Sequence, residues 1–104
     1  MSGVPYPYEY QYEHVAAGQT AQVLGGTGAV GDYLARLICT VSTAATGNVV
    51  LFDGAGVSHT VLPALCGTGI NTYNIEIGSI SKFGSWRITT GAGVEVLAIG
   101  IFSA

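Results

Sequence analysis

Charged residues are the scarcest component of this 104-residue chain, which carries only three basic and six acidic side chains. Charged residues make up 9% of the sequence, whereas about 25% is usual in globular domains. A soluble monomer of this size normally covers its large relative surface with Lys, Glu, Arg and Asp. The 16 glycines and many Thr and Ser residues suit strands, turns and surfaces buried against another subunit instead. The composition therefore predicts an obligate oligomer or a part of a larger assembly.

Several classes of function are disfavoured by what the chain lacks. The net charge is −3 and no run of Lys or Arg occurs, so we expect no nucleic-acid partner, because phosphate backbones are bound by clustered cations. The longest strongly apolar stretch is residues 96–102, much shorter than the roughly 20 residues that span a bilayer as a helix. Residues 1–12 lack the basic and apolar regions of a secretory signal. We expect a soluble protein that is made in a cytoplasm and has no membrane partner.

Short apolar runs separated by glycine-rich turns fill the chain from residue 20 onward. The best hairpin joins residues 48–52 to residues 57–62 through Asp53-Gly54-Ala55-Gly56, and residues 85–90 and 94–102 suggest a second hairpin. In the longest run, alternation places Tyr33, Ala35, Leu37, Cys39 and Val41 on one face. In a later run, residues 72–77, it places Tyr73, Ile75 and Ile77 on one face. Six or seven such strands predict an all-β fold, namely a small antiparallel β-sandwich or a jelly-roll-like barrel over residues 20–104.

The first 19 residues predict an extended N-terminal arm. Tyr6, Tyr8, Tyr10 and Tyr12 occupy every second position, so they share one face of an extended chain. Two prolines, Pro5 and Pro7, disfavour both a helix and a central strand. Tyrosine is common at interfaces, and these four residues are therefore candidate interaction residues. The sequence leaves open whether the arm lies along a neighbouring subunit or folds back over its own domain.

A dinucleotide-binding motif competes with the β interpretation. Gly26, Gly28 and Gly31 have the Gly-x-Gly-x-x-Gly spacing, and Asp53 follows at about the distance of a ribose-binding acid. However, only Val23 and Leu24 precede the motif as an apolar run, and a parallel first strand is usually a longer one. The residues after the motif are rich in strand formers, and no amphipathic helical stretch follows Asp53. We therefore predict that these glycines form a connection between strands.

Residues with catalytic chemistry are few. The two histidines, His14 and His59, show no zinc-like spacing with Cys39 or Cys66, and whether these two cysteines form a disulfide stays open. Asp53, Ser58 and His59 include the residue types of a hydrolase triad but lie on one hairpin without a nucleophile elbow. An exposed hairpin histidine is the expected role of His59. No catalytic, metal or cofactor site is predicted, and we expect that the protein is not an enzyme.

Other polar and aromatic residues have a structural interpretation beside a functional one. Glu76 and Glu95 fall on the polar faces of their strands, where we expect them to keep an edge soluble and not to act as an acid–base pair. Trp86 and the tyrosines offer stacking surfaces, so a carbohydrate-binding module is a remoter alternative. Because Trp86 alternates with polar neighbours, a core position is the expectation for it.

The chain resembles small structural proteins of tailed bacteriophages. The resemblance lies in residues 27–38, in Asp53-Gly54 and in residues 84–93, within a region of about residues 20–104. It implies a virion component located on the capsid surface, most simply a capsid decoration or cement protein. Such a protein commonly forms a homotrimer that contacts the major capsid protein or another virion subunit. A head–tail connector, a tail protein or a fibre-base module is the alternative within the same class.

Overall fold

The computed structural model describes residues 11–25, 29–41, 48–62 and 71–102 of the chain. These residues form eight β-strands and contain no helix. The strands are β1 Gln11–Val15, β2 Gln22–Val23, β3 Tyr33–Val41, β4 Val49–Asp53, β5 Val57–Leu62, β6 Asn71–Ile80, β7 Trp86–Thr90 and β8 Val94–Ile101. Tyr6, Tyr8, Tyr10, Gly26, Gly28 and Cys66 lie outside the described residues.

Two four-stranded antiparallel sheets pack together, so the predicted all-β sandwich is confirmed. The first sheet has the order β1-β8-β3-β6, and the second has the order β2-β7-β4-β5. Side chains alternate along the central strands between the core and solvent, as the residues of β8 from Val94 to Ala98 illustrate. The fully buried core side chains come from both sheets and include Leu34, Leu37, Cys39, Val49, Ile88 and Val96.

The hairpin predicted between β4 and β5 is confirmed, but the second predicted hairpin is wrong. In the first hairpin, β4 and β5 are paired from Asp53↔Val57 to Val49↔Leu62. In contrast, β7 pairs with β2 and β4, whereas β8 pairs with β1 and β3 in the other sheet. The short turn at residues 91–93 therefore carries the chain across the core. Ile88 and Val96 are both fully buried because they face this core from opposite sheets.

The face predicted for β3 is correct from Ala35 onward and wrong at the start of the strand. Leu37, Cys39 and Val41 are buried as expected, but Leu34 is fully buried whereas Tyr33 is not. The register of β3 shifts between Leu34 and Arg36 against both of its neighbours. This irregularity reverses the alternation, because an extra residue in a strand moves the following side chains to the opposite face.

Strand β1 falls within the segment predicted as an arm. Its five residues pair with β8 from Gln11↔Gly100 to Val15↔Val96, and Val15 is fully buried. The Gln11 side-chain oxygen accepts a hydrogen bond from the Phe102 amide at 2.8 Å. Residues 11–15 are thus an edge strand of the first sheet, and the Tyr12 side chain stands on this strand with 73% of its surface exposed.

The buried thiol of Cys39 belongs to the core. It lies at the centre of β3, and desolvation by burial raises its pKa to about 11. Because thiolates are the reactive form of cysteine, Cys39 acts as a small apolar side chain at neutral pH.

Gly100 marks the closest approach between β8 and β3. A Cβ atom at this position would collide with the Tyr33 carbonyl oxygen and would lie 3.0 Å from the Leu34 Cα atom. Both obstacles are backbone atoms of a central strand, so they cannot move without disturbing the pairing on either side.

We predict that Gly100→Ala lowers the free energy of unfolding by more than about 2 kcal/mol, because overpacking against backbone costs this much or more. Thermal and urea unfolding of the purified variant measure the loss. The matched control is Gly56→Ala in the β4–β5 turn, where nothing lies within 4 Å of an added Cβ. Equal stability of the two variants would contradict the close packing described for Gly100.

Candidate functional site

A cleft lies on one side of the sandwich, between edge strand β6 of the first sheet and edge strand β5 of the second. Its volume is about 460 Å³, and most of the side chains around it are apolar. Both sheets contribute to the lining, which includes Leu51, Val57, Val61, Ile77, Phe83 and Trp86. Clefts of this size with an apolar lining and a few polar groups are the usual form of a binding site.

The cleft exists because the two sheets do not close over each other on this side. Tyr73, Ile75 and Ile77 alternate along β6 as the sequence predicts, and they pack against the core but remain partly exposed. Val61 of β5 does the same from the other sheet. On the opposite side, Glu13 of β1 accepts hydrogen bonds at 2.8 Å from the Gln22 side chain and from the Gly25 amide, which connect the two sheets.

Asp53 fixes one end of the cleft. Its carboxylate accepts backbone hydrogen bonds from the amides of Lys82 and Phe83, each at 3.0 Å. The Gly54 amide donates to the Ser85 carbonyl at 2.9 Å. Gly54 has a φ of +75°, and a Cβ there would lie 2.7 Å from the Phe83 carbonyl oxygen. The β4–β5 turn is therefore in direct backbone contact with the β6–β7 loop.

A second polar network lies behind the Trp86 ring. The Trp86 Nε1 atom donates to the Asp32 carbonyl at 2.9 Å, and the Ser81 amide donates to the same oxygen at 3.0 Å. The Gly31 amide donates to the Ser81 hydroxyl at 2.9 Å. These bonds hold Trp86 with only 5% of its surface exposed, which confirms the expected core position.

The mouth of the cleft joins an apolar surface at one end of the sandwich, which we call the apolar end. It comprises four of the five large hydrophobic side chains that are exposed among the described residues: Val30, Ile80, Phe83 and Ile101. Ile80 and Ile101 flank Tyr33 in the terminal row of the first sheet. Val30 lies near the β6–β7 loop, because the amide of the next residue, Gly31, donates to the Ser81 carbonyl. Phe83 belongs to the same loop, two residues after Ser81. Ile80 and Phe83 also line the cleft.

The dinucleotide-binding interpretation fails on the fold. The residues that follow Gly31 form strand β3 and not a helix, so the motif lacks the helix N-terminus at which a pyrophosphate would bind. The acid proposed for the ribose, Asp53, is buried and bonded to the backbone of residues 82 and 83.

The residue types of a hydrolase triad do not assemble. Ser58 and His59 are consecutive residues of β5 and therefore face opposite sides of the sheet. His59 is exposed, as expected, and lines the cleft together with Asp53, whereas Ser58 is not among the lining residues. No group of three or more potential metal ligands occurs in the part of the chain that the structure describes.

The two glutamates on the outer face of the first sheet each contact a basic side chain. The Arg36 guanidinium is 3.2 Å from the Glu76 carboxylate, and His14 Nε2 is 2.8 Å from the Glu95 carboxylate. Both pairs are partly exposed, and pairs of this kind contribute little to stability.

Sequence reasoning did not find the cleft or the apolar end. The strand pattern identified the inner face of β6, but it contains no information on which edges the two sheets leave open. Val30 and Phe83 were detectable as large apolar residues within glycine-rich connections.

No protein-family model, curated protein or solved structure matches this chain at a significant level. None of the described segments forms a helix that is long and apolar enough to cross a membrane.

We predict that Asp53→Asn destabilises the protein by about 1–3 kcal/mol, because the backbone amides of residues 82 and 83 lose a charged acceptor. Thermal unfolding measures the loss, and the emission of Trp86, which is the only tryptophan, reports the cleft. The matched control is Glu76→Gln, which removes an exposed carboxylate from a surface ion pair and should cost less than about 0.5 kcal/mol. A stable Asp53→Asn variant with unchanged emission would contradict the role of Asp53.

Proposed function

We propose that this protein is a non-enzymatic structural subunit of a bacteriophage virion that acts by self-assembly. Within that class the proposed role is a capsid decoration protein, a homotrimer that contacts the major capsid protein on the capsid surface. The observation that supports the proposal best is the apolar end, where large hydrophobic side chains stay exposed on a protein with very few charges.

The exposed side chains of the apolar end favour burial against another protein. Phe83 is 70% exposed, Val30 is 59% exposed and Ile80 is 54% exposed. Isolated exposed hydrophobic residues are normal, but a cluster of them on one surface is typical of a protein interface. Burial of one such side chain contributes about 1.5–3 kcal/mol, so several together can stabilise an oligomer.

The described ionic groups are consistent with a structural subunit. Asp32 and Asp53 are buried and accept hydrogen bonds from backbone amides of loops. Arg36 lies in a partly exposed ion pair with Glu76, and His14 is hydrogen-bonded to Glu95. A rigid sandwich with a neutral surface supports wide contacts between subunits, and the resemblance of residues 27–38 and 84–93 to phage structural proteins supports the assignment to a virion.

Particle composition tests the virion assignment. We expect the protein to sediment with DNA-filled particles through a density gradient and to be present in hundreds of copies per particle, as quantitative mass spectrometry measures. Six or twelve copies would instead assign it to a portal, neck or tail ring. Complete absence from purified particles would overturn the proposal.

Self-assembly is tested at Phe83. We predict that Phe83→Asp weakens oligomerisation at least about tenfold, because it places a charge in an apolar contact. Sedimentation velocity over a concentration series measures the change. The control is Ala92→Asp, which adds the same charge to the exposed β7–β8 turn at the opposite end of the sandwich. Similar effects of both variants, or no effect of either, would contradict a role for the apolar end in assembly.

A further inference from the structure

The cleft between β5 and β6 is an incomplete part of the core. The apolar residues on the inner faces of both strands are partly exposed, and Leu51 and Trp86 form its inner wall. His59 and Lys82 add polar groups at positions that face solvent. A covering segment would therefore gain from the burial of apolar surface and would meet a cationic side chain.

The two walls of the cleft are formed by edge strands, β6 in the first sheet and β5 in the second. In the described part of the chain β6 and β5 are the last strands of their sheets, and each has a sheet neighbour on only one side. With ten residues, β6 is the longest strand of the structure. Edge strands of this kind can accept an extended segment through backbone hydrogen bonds, while alternate side chains of that segment enter a pocket.

The chain itself contains a segment with the required chemistry. Residues 4–10 have the sequence Val-Pro-Tyr-Pro-Tyr-Glu-Tyr, which places aromatic side chains at a period of two. This period matches the alternation along a strand edge. The two prolines suit an edge position, and Glu9 complements the positive charge of Lys82.

We infer that the cleft binds the N-terminal tyrosine segment, residues 4–10, of a second copy of this chain. The inference rests on the proposed self-assembly and names the surface that the arm occupies. The segment enters through the mouth formed by Ile80 and Phe83, so that tyrosine side chains cover the apolar lining of the cleft.

The distances favour a second copy over the same chain. The segment immediately precedes Gln11 of β1. Across the first sheet, Gln11 pairs with Gly100 of β8, Gly100 with Leu34 of β3, and Leu34 with Ser79 of β6. The edge β6 is therefore three strand spacings from β1, or about 14 Å. Tyr8 is three residues from Gln11 and reaches at most about 11 Å. Its own cleft, beyond β6, is therefore out of reach for Tyr8 and Tyr10, and only Tyr6 and the residues before it could approach that cleft, since five extended residues span about 17 Å. The cleft of a copy placed beside β1 is closer to the whole segment.

The strand directions allow such a neighbour. All pairings in the first sheet are antiparallel, so β1 and β6, at its two edges, run in opposite directions. Copies placed with the β1 edge of one beside the β6 edge of the next make a head-to-tail contact. Such contacts close into a ring when the rotation between copies permits it, which is the geometry of the proposed trimer.

Cysteine cross-linking between full-length chains tests the inference. All proteins carry Cys66→Ala, and Cys39 is buried. One chain carries a single cysteine in place of Tyr6, Tyr8 or Tyr10, and a second chain of different mass carries His59→Cys. A disulfide requires Cα atoms within about 7 Å. We expect a mixed disulfide dimer for at least one of the three tyrosine positions.

The control for cross-linking is Thr60→Cys, which is exposed on the neighbouring position of β5 but does not line the cleft. Equal cross-linking to positions 59 and 60 would overturn the inference. A chain carrying both cysteines that forms the bond only within itself would overturn it as well, because the segment would then occupy its own cleft. Oligomers that assemble without any cross-link to position 59 would overturn this inference and leave the proposed self-assembly standing. A protein that stays monomeric and forms no cross-link would overturn both.

A second, independent measurement uses charge. His59→Glu places a carboxylate beside the expected position of Glu9, and we expect it to weaken self-association at least about tenfold. Thr60→Glu adds the same side chain outside the cleft and should change self-association less than about threefold. Both residues are exposed, so neither variant should lose its fold. Unchanged association of His59→Glu would overturn the inference.

Discussion

The structure depends on an asymmetry in how its two sheets close around one core. On one side, β1 and β2 are joined by a short connection, and Glu13 bonds to groups in the second sheet. The hydroxyl of Thr90 adds a bond to the Ala16 carbonyl at 2.6 Å, which holds this connection against β7. On the other side, the edges β5 and β6 leave the cleft open. The cleft and the assembly proposed to use it follow from this difference.

The few acidic residues are used mainly for internal structure. Three of them accept hydrogen bonds from backbone amides of loops: Glu13, Asp32 and Asp53. On the outer face of the first sheet, Glu76 forms an ion pair with Arg36, and Glu95 forms a hydrogen bond with His14. Hydrogen bonds from backbone amides to a carboxylate are stronger than neutral ones, so a small number of charges can fix long connections. The surface is left with few groups that would repel another copy of the chain.

The connections determine where apolar surface appears. Asp53 and Ser81 tie the β6–β7 loop to the β4–β5 turn and to the end of the β2–β3 connection. These bonds hold Phe83 and Val30 on the outside of the protein, at the end where the chain enters β1. The apolar end thus lies at the end of the sandwich where β1 begins, which connects the proposed interface with the proposed arm.

Alternation along single strands was predictable from the sequence, because side chains of an extended chain alternate regardless of its neighbours. This local rule gave the all-β class, the β4–β5 hairpin and the inner face of β6 at Tyr73, Ile75 and Ile77. It failed at β3, where the register shift near Ala35 reverses the alternation, and at β7 and β8, which are consecutive strands in different sheets.

The sequence by itself determined that the chain forms strands, which of their faces are apolar, and that few charges are present to keep its copies apart. Only the tertiary structure decided which strands become edges, where the two sheets remain open, and that Val30, Ile80 and Phe83 meet at one end. The physical reason is that strand pairing joins residues that are distant in sequence. Leu34, for example, lies between Gly100 and Ser79. The free energy of such contacts depends on the whole core and not on any local pattern.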